Sequence, residues 1–287
     1  MHTWLRGALI AIVSAAVAVA VSQVLRKPVE GQTPNITVLR GADGKPNLNG
    51  IWQALGTAHW DLQDHSARPG PVLELGAIDA IPAGQGVVEG NEIPYQPWAA
   101  AKKKENFINW LARDPEVKCY LPGLPRATYM PFPFQIAQTP GDIVMAYEYA
   151  SASRVIKMGK VEPSPVDTWM GQSAGRWEGD TLVVDVTSFN DQTWFDRAGN
   201  FHSEALHVVE RYTPVGPDVL DYQVTIDDPK VFTRPWNIRL PLYRRQDKNV
   251  QLTEFKCVEF VEEMLYGGLR KKTGAEKPFS PAHLRWP

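Results

Sequence analysis

The sequence lacks several motifs that usually identify the class of a protein. It contains no P-loop, GxGxxG, HExxH or CxxCH pattern, which disfavours nucleotide-binding, zinc-protease and c-type haem functions. It also lacks an excess of positive charge, because 30 Lys and Arg residues face 32 Asp and Glu residues and the net charge is −2. We therefore expect no nucleic-acid partner, since such proteins concentrate basic residues on one surface.

Cysteine is also scarce, because the chain has only Cys119 and Cys257. No CxxC pattern or nearby histidine completes a zinc ligand set, and we predict no metal and no cofactor. Two interpretations of the cysteines remain, a disulfide that closes a long loop or two separate buried thiols. In the chain-entropy account, such a disulfide contributes roughly 4–5 kcal/mol.

What the chain does contain is an uninterrupted apolar run, residues 7–25, with Arg6 before it and two basic residues after it. At about 1.5 Å per residue, a helix of this length spans roughly 28 Å, close to the thickness of a bilayer core. The run predicts either an inner-membrane anchor or a cleaved secretory signal, with small residues near Ala20 for the peptidase. Both interpretations place the body in the periplasm.

The remaining sequence divides by composition. With 24 Pro and 22 Gly, it is typical of many turns and long loops rather than a helical bundle. Residues 97–113 have the clearest helix pattern, with a proline in the first turn and Asp114-Pro115 at the end. We predict five segments: an anchor or signal (1–27), a linker (28–48), a loop-rich region with that helix (49–133), an antiparallel β domain (134–262) and a C-terminal tail (263–287).

Strand patterns dominate from residue 134 onward, after a first strand candidate at residues 49–55. Apolar and polar residues alternate in Val219–Ile226, which indicates one packed face and one wet face. Short turns such as Glu178–Asp180 join the strands, and Gln251–Val258 is predicted as the last strand.

This pattern predicts a mainly β fold. We expect an antiparallel up-and-down meander that closes into a lipocalin-like barrel, because closure removes exposed strand edges. A two-sheet sandwich is the alternative. One N-terminal transmembrane helix and one or two short helices, including residues 261–266, complete the prediction.

Five motifs together extend over most of the body: LNGIW (48–52), C-x-L-P-G-L-P-R (119–126), GRWEGDTLVVD (175–185), HSEALHVVER (202–211) and TIDDP (225–229). In these motifs the chain resembles a large family of exported bacterial proteins of uncharacterised activity. The resemblance implies export and transfers no activity. Gln172 stands where relatives usually have His, which implies that an activity using that His would be lost here.

Four residues are candidates for acid–base chemistry: His202, His207, Glu210 and Asp227. A histidine with an orienting carboxylate is sufficient for such chemistry. A metal site is less favoured, because two histidines five residues apart on a strand lie on opposite faces. The plainer interpretation is hydrogen bonding at a loop–strand junction, and Asp-Asp-Pro at 227–229 is also typical of an ordinary turn.

Six residues are candidates for ligand binding: Arg126, Glu148, Trp169, Trp194, Asp196 and Trp236. Arg126 follows a rigid Pro-Gly-Leu-Pro segment and is suited to meet a carboxylate. The alternative interpretation is that Arg126 has a structural role, in an ion pair with Glu148 or Asp185. The tryptophans are expected either at a barrel mouth around an apolar ligand or in the core.

Because the sequence names no reaction, we predict a membrane-anchored extracytoplasmic β protein that is a non-catalytic accessory or scaffolding subunit of a larger membrane complex. Its expected partners are the lipid bilayer and other membrane subunits, contacted through residues 7–25 and the Pro/Gly-rich loops. Two alternatives stay open. One is a periplasmic enzyme that uses a His/carboxylate site on a small or apolar substrate, and the other is a lipocalin-like ligand carrier.

Overall fold

The computed structural model describes residues 38–70, 75–77, 80–266 and 268, and its main feature is a closed β barrel. The described part of the chain contributes nine strands, which follow one another round the barrel in sequence order. Their bounds are β1 Gly50–Ala54, β2 Phe134–Gln138, β3 Asp142–Tyr147, β4 Ser153–Met158, β5 Gln172–Glu178, β6 Thr181–Thr187, β7 His207–Gly216, β8 Val219–Asp227 and β9 Trp236–Arg244. The mainly β class is confirmed, and the strands form a barrel instead of the alternative sandwich.

One pair of neighbouring strands departs from the predicted antiparallel meander. β4 and β5 run parallel, whereas every other neighbouring pair, including β1 with β9, is antiparallel. Strands of alternating direction close into a ring only when their number is even, so a ring of nine needs a parallel pair. Parallel neighbours also need a crossover connection, which residues 159–171 provide.

The strand that closes the barrel comes from the first part of the described chain. β1 pairs with β2 on one side and with β9 on the other, so that Trp52 lies opposite both Phe134 and Arg244. The prediction of a final strand at Gln251–Val258 is wrong, because β1 already occupies the free edge of β9 and these residues are irregular. The barrel therefore takes one strand from the segment predicted as loop-rich, 49–133.

Alternation along the strands determines which side chains face inward. In β8, Leu220, Tyr222, Val224 and Ile226 are buried, and the residues between them are partly exposed. β9 shows the same alternation over most of its length. Because successive side chains of a strand point to opposite sides, the apolar series of each strand lies inside the barrel.

Large side chains fill the barrel interior. Trp52, Phe134, Tyr212 and Tyr222 are each at most 1% exposed and belong to one continuous hydrophobic cluster. Burial of apolar surface, at roughly 25 cal/mol per Å², is the main term that stabilises such a core. A ligand inside this barrel would have to displace these side chains. A binding site is therefore more favourable in the barrel wall than in the interior.

The helices of the described chain are short: α1 Pro97–Ile108, α2 Trp110–Arg113, α3 Arg126–Tyr129 and α4 Val261–Tyr266. The predicted helix at 97–113 is divided at Asn109, whose backbone leaves helical geometry and whose side-chain amide donates to the Glu105 carbonyl at 2.8 Å. None of the described helices has the length and apolar character needed to cross a bilayer. The predicted anchor, residues 7–25, lies outside the described residues.

The connection between β1 and β2 forms a loop layer, defined as the described residues of 55–133. A backbone bridge from Tyr95 to Phe232 fixes this layer to the connection between β8 and β9. A disulfide joins Cys119 in the layer to Cys257, with an S–S distance of 1.96 Å. The chain that follows the barrel is therefore tied covalently to the loop layer.

Candidate functional site

The strongest candidate site lies where the barrel wall opens between β4 and β5. Their parallel pairing begins where Ile156 faces Ser173 and extends only to Met158. The β7–β8 pairing, in contrast, extends along nearly the whole of both strands. Continued backwards, the β4–β5 register places residues 153–155 level with residues 170–172, yet these described stretches are not paired. A gap in the wall results.

Gly171 directs the chain away from β4 at this gap. Its φ is +65°, in the left-handed region that glycine adopts without strain. A Cβ atom at this position would lie 2.7 Å from Val186 Cγ1 and 2.8 Å from the Thr187 carbonyl oxygen. The chain therefore lies against β6 just before β5 begins, and this close approach keeps the gap open.

The gap forms a cavity of about 410 Å³, which we call the wall cavity. This volume is within the range of small-molecule sites. Its polar lining consists of hydroxyls, one amide and two cations: Ser153, Ser164, Thr168, Ser173, Gln172, Arg154 and Lys157. Its apolar lining consists of Leu121, Val155, Trp169 and Met170. These described lining residues include no aspartate and no glutamate.

Arg154 connects the wall cavity with the barrel interior. Its side chain is 2% exposed, and that of its partner Glu210 is 0% exposed. Nη1 donates to Glu210 Oε2 at 2.5 Å, and Nη2 donates to Glu210 Oε1 at 3.1 Å and to the Tyr212 hydroxyl at 2.9 Å. Nε is buried and has no hydrogen-bond acceptor among the described residues. One N–H of the guanidinium is therefore buried without a hydrogen bond to the described residues.

On the interior side of this ion pair, the Glu210 carboxylate accepts further hydrogen bonds. Glu210 Oε1 also accepts hydrogen bonds from Tyr212 at 2.8 Å and from Tyr222 at 2.6 Å. Burial, and next the Glu210 carboxylate, raises the pKa of both tyrosines, so both remain protonated donors. Burial acts to lower the pKa of Arg154, but Glu210, Tyr147 and Tyr212 together outweigh it and raise that pKa well above its usual value. Arg154 therefore keeps its positive charge.

The crossover that forms one side of the wall cavity is held in place. Gln172 Oε1 accepts from the Ser164 N–H at 2.8 Å, and its Nε2 donates to the Glu162 carbonyl at 2.9 Å. The rings of Tyr120 and Trp169 meet edge to face with centroids 4.6 Å apart. These contacts give the cavity a formed wall rather than a loose loop.

Ser173 lies in a G-x-S-x-G match, residues 171–175, which is a signal that the sequence analysis missed. In hydrolases this motif places a nucleophilic serine on a sharp strand-to-helix turn. Ser173 instead lies inside β5, and its hydroxyl is bonded, among the described residues, to Arg154 Nη1 at 3.4 Å. Because a nucleophilic serine needs an adjacent base, this geometry does not form a hydrolase elbow.

The four predicted acid–base residues do not form one site. Glu210 faces the barrel interior, whereas His207 lies three residues earlier in β7 and faces outward. His207 Nε2 is 2.6 Å from Asp185 Oδ1, and the two side chains are 41% and 38% exposed. Asp227 lies opposite His207 across the β7–β8 pair. His207 and Asp227 therefore belong to the outer surface, away from Glu210.

His202, the fourth candidate, is buried in the connection before β7. Its Nε2 is 2.6 Å from Thr193 Oγ1 and its Nδ1 is 2.9 Å from the Ser203 carbonyl oxygen. We assign the tautomer in which Nδ1 donates to the carbonyl and Nε2 accepts from the hydroxyl. Burial lowers the pKa of His202, so the ring is neutral and acts as a hydrogen-bonded element of the connection.

Of the six predicted ligand-binding residues, Trp169 is the one that lines the wall cavity. Trp236 is 3% exposed and belongs to the hydrophobic cluster. Trp194 forms a backbone bridge in the connection before β7. Glu148 accepts a hydrogen bond from the Thr253 N–H at 2.8 Å. The structure therefore distributes these residues over the molecule.

Arg126 belongs to a second buried ion network, which we call the loop network: Asp114, Glu116, Arg126 and Arg197. Arg126 donates to Asp114 at 2.7 and 2.9 Å and to Glu116 at 2.6 Å. Arg197 donates twice to Glu116, each time at 2.9 Å. The predicted pairing of Arg126 with Glu148 or Asp185 is wrong, because the turn Pro115–Lys118 and its N-cap residue Asp114 place two other carboxylates beside it.

Three groups in and around the loop network have shifted pKa values. Burial acts to raise the pKa of Glu116, but the arginines of the network outweigh it and lower it to about 2. Burial lowers the pKa of His59 to about 4. Burial, and next the Asp61 carboxylate, raises the pKa of Asp196 to about 7, although Asn200 donates to it. Asp196 is buried and accepts hydrogen bonds from the backbone N–H groups of Leu62 and Asn200 in the loop connections.

Arg154 is the site residue that sequence reasoning missed, although the sequence contains a signal for it. In β4, Arg154 is in the same phase of the alternation as the buried Ile156. In β7, Glu210 is in the same phase as the buried Val208 and Tyr212. A charge in the apolar phase of a strand predicts a buried ion, and two such charges of opposite sign predict a pair.

The described residues contain no group of three or more His, Cys, Asp or Glu side chains placed to hold a metal ion. Comparisons with protein-family models, with curated proteins and with solved structures found no match for the chain.

Proposed function

We propose that this protein is an extracytoplasmic, non-catalytic binding protein whose recognition site is the wall cavity. The observation that carries the proposal is a cavity of small-molecule size in the barrel wall, lined by Trp169 on its apolar side and by Lys157 and Arg154 on its polar side. The fixed crossover reduces the ordering cost of binding.

The charged groups around the cavity support binding rather than catalysis. General acid–base catalysis needs a group that exchanges a proton near the working pH. The charged residues that line the cavity are Arg154 and Lys157, and no histidine or carboxylate joins them among the described lining residues. The His/carboxylate enzyme is therefore less favoured, and the ligand carrier is favoured in a changed form, with its ligand in the wall.

Two features support a position outside the cytoplasm. The disulfide between Cys119 and Cys257 is of a kind that persists in oxidising compartments. Residues 7–25 form an apolar run of transmembrane length. We therefore include in the proposal an N-terminal anchor in the inner membrane and a role as accessory subunit of a larger membrane complex. Residues 7–25 and the Pro/Gly-rich loops would contact the other subunits.

Calorimetric titration with 2-naphthoate and 2-naphthamide tests the binding function, since both probes have the same flat body and fit a cavity of this size. We expect at least one to bind at one site per chain. Trp169→Ala should weaken binding about tenfold, because the aromatic wall is lost. Trp98→Ala, which removes a 56% exposed tryptophan outside the cavity, should leave it unchanged. Binding of neither probe, or equal effects of both substitutions, contradicts the proposal.

Two further measurements test the remaining parts of the proposal. Hydrolysis of 4-nitrophenyl acetate should not depend on Ser173, and loss of an esterase activity in Ser173→Ala would contradict a non-catalytic role. Purification of the full chain from native membranes followed by mass analysis should recover other membrane subunits with it. A monomer without a co-purifying partner contradicts the role as accessory subunit.

A further inference from the structure

We infer that the wall cavity binds an extended peptide segment of another protein, which pairs with β4 as an added strand. This inference rests on the proposed binding function and names the class of ligand. Three observations support it: the direction of the backbone groups of β4, the lack of a partner for them across the gap, and the side chains around them.

The backbone groups of β4 alternate between its two neighbours. Just before β4, the Ala152 carbonyl accepts a hydrogen bond from the Tyr147 N–H of β3 at 2.8 Å. Just after it, the Gly159 N–H donates to the Gly175 carbonyl of β5 at 2.9 Å. Because successive residues of a strand direct their backbone groups to opposite sides, the even-numbered residues of β4 bond to β3 and the odd-numbered residues face β5.

Three of the backbone groups that face β5 have no partner there. The ladder between the two strands begins with Ile156 opposite Ser173, so it includes the Val155 carbonyl and excludes the Val155 N–H. Neither this N–H nor the N–H and C=O of Ser153 bonds to the backbone across the gap, among the described residues. Ser153 and Val155 both line the wall cavity. Residues 153–155 thus form a β4 edge that presents a donor, an acceptor and a donor.

The opposite rim of the gap, residues 169–171, does not supply a strand. Its backbone makes no backbone hydrogen bond among the described residues, and Gly171 lies against β6. An unpaired strand edge is a template for a further strand. Peptides that add a strand gain affinity from main-chain hydrogen bonds, and the alternate side chains give specificity. At roughly 3.3 Å per residue, about three peptide residues cover the β4 edge.

The side chains of the wall cavity indicate which peptides fit. Val155 and Trp169 line it, and Val155 is 44% exposed although it is aliphatic. Tyr120 packs edge to face against Trp169 with ring centroids 4.6 Å apart, which orients the indole. Lys157 adds a positive charge, and the described lining residues include no aspartate or glutamate. We therefore expect a segment with β-branched or aromatic side chains and without lysine or arginine.

Calorimetry with a synthetic peptide, acetyl-Thr-Val-Thr-Phe-Val-Thr-amide, tests the inference. We expect this peptide to bind at one site per chain. Two N-methylated forms test the backbone pairing: one is methylated at the first, third and fifth residues, and the other at the second, fourth and sixth. Since alternate N–H groups of a strand face the same neighbour, one form should bind at least about tenfold more weakly than the other. Equal affinities of the two forms contradict the inference.

Val155→Pro removes the N–H that faces the gap and leaves the bonds between β3 and β4 in place, because that N–H is not part of them. We expect at least about a tenfold loss of peptide affinity. Val155→Ala is the matched control, because it removes the side chain and keeps the N–H, and it should cost at most about threefold. 2-Naphthoate should bind both variants equally, since neither changes Trp169. Equal losses of peptide affinity in the two variants contradict the inference.

Hydrogen exchange in the wild-type full chain needs no variant. The N–H groups of Ser153 and Val155 should exchange faster than those of Arg154 and Ile156, which bond to β3. Saturation with the peptide should slow Ser153 and Val155 at least about tenfold and leave Arg154 and Ile156 nearly unchanged. No slowing of Ser153 and Val155 contradicts the inference. Slow exchange of both without peptide shows that the β4 edge is already covered, which also overturns it.

The outcomes separate this inference from the proposed function. Binding of a naphthyl probe that is reduced by Trp169→Ala, without binding of the peptide, overturns the choice of a peptide and leaves the binding function supported. Binding of neither the peptide nor the naphthyl probes overturns the binding function and the inference together.

Discussion

Two buried arginines of this protein have the same chemistry and different surroundings. The side chains of Arg126 and Arg154 are each 2% exposed, and each has an Nε without an acceptor among the described residues. Arg126 meets two carboxylates, one of which it shares with a second arginine. Arg154 meets the single carboxylate of Glu210 and borders a cavity of about 410 Å³.

The comparison teaches how a buried ion pair can hold loops together in one place and join two strands beside a cavity in another. The loop network ties the turn that precedes Cys119 to α3 and to Arg197. The guanidinium of Arg197 lies over the rings of Trp60 and Trp110, at 4.5 and 5.1 Å from their centroids. That network is a tie between loops. Arg154 stands beside a gap in the barrel wall and ties β4 to β7 through Glu210.

The largest expected effect comes from removing either arginine. Removal of one partner from a buried ion pair costs about 3–5 kcal/mol. Arg126→Met should be at the upper end of this range, because it strands Asp114 and removes one of the two cations that hold Glu116. Arg154→Met should cost less, because it strands Glu210 alone, which keeps its hydrogen bonds from Tyr212 and Tyr222. Urea unfolding measures both.

Ligand binding should separate the same two variants in the opposite order. At temperatures where both are folded, Arg126→Met should bind 2-naphthoate like the wild type, and Arg154→Met should bind it more weakly, because Arg154 belongs to the strand that lines the wall cavity. A loss of affinity in both variants would show that the loop network also shapes the wall cavity, which contradicts the division drawn above.

A double substitution sharpens the account of Arg154. In Arg154→Met/Glu210→Gln both charges are gone, so the interior no longer contains an unbalanced ion. We expect this variant to recover at least about 1–2 kcal/mol of the loss seen in Arg154→Met, because the stranded carboxylate causes much of that loss. Unfolding in urea checks the prediction, and a double variant less stable than Arg154→Met contradicts it.

The free energy of unfolding should depend on pH through the groups in and around the loop network, and not through the residues that line the wall cavity. The pKa of His59 is lowered from 6.5 to about 4, so the unfolded chain takes up that proton first as the pH falls. This group alone removes about 3 kcal/mol of stability between pH 6.5 and 4. The pKa of Asp196 is raised from 3.8 to about 7, so the folded chain takes up that proton first and stability rises between pH 7 and 4.

The two contributions oppose each other. Plots of unfolding free energy against pH, taken relative to the wild type, should therefore have slopes of opposite sign in the two single variants. As the pH falls through this window, stability should rise in His59→Gln and fall in Asp196→Asn, relative to the wild type. Urea unfolding at several pH values measures the slopes. Slopes of the same sign in the two variants would contradict the assigned directions.

The smallest expected effect on the free energy of unfolding comes from two glycine substitutions, which test the backbone conformation beside the wall cavity. Gly171 and Gly179 have nearly the same φ, +65° and +60°. A Cβ at Gly179 would meet no atom within 4 Å, whereas a Cβ at Gly171 would lie 2.7 Å from Val186. Both alanine variants carry the cost of a left-handed residue, about 1 kcal/mol, and Gly171→Ala should lose about 1–2 kcal/mol more through overpacking. Equal losses in urea unfolding contradict the close approach that opens the wall.

Much of the barrel follows from local pattern. The alternation in Val219–Ile226 predicts β8, and the Gly-Asp pair at 179–180 predicts the turn between β5 and β6, since both depend on neighbours in the sequence. The short helix at Val261–Tyr266 is also present as predicted. Local propensity and turn chemistry are sufficient for these elements.

The rest depends on contacts that no local pattern determines. The parallel β4–β5 pair follows from closing an odd number of strands, and which pair is parallel depends on the length of the crossover at 159–171. Gln251–Val258 has a strand-like sequence, yet β1 occupies the edge that it would need. The pairing of Arg154 with Glu210 joins residues from β4 and β7, so the site becomes visible only when the barrel is closed.

The most direct test of the account is a crystal structure of the full body with 2-naphthoate. The account predicts density for the probe in the wall cavity, with the naphthalene ring against Trp169. Density for the probe inside the barrel, on the outer face beside His207, or at the loop network with none in the wall cavity would contradict it.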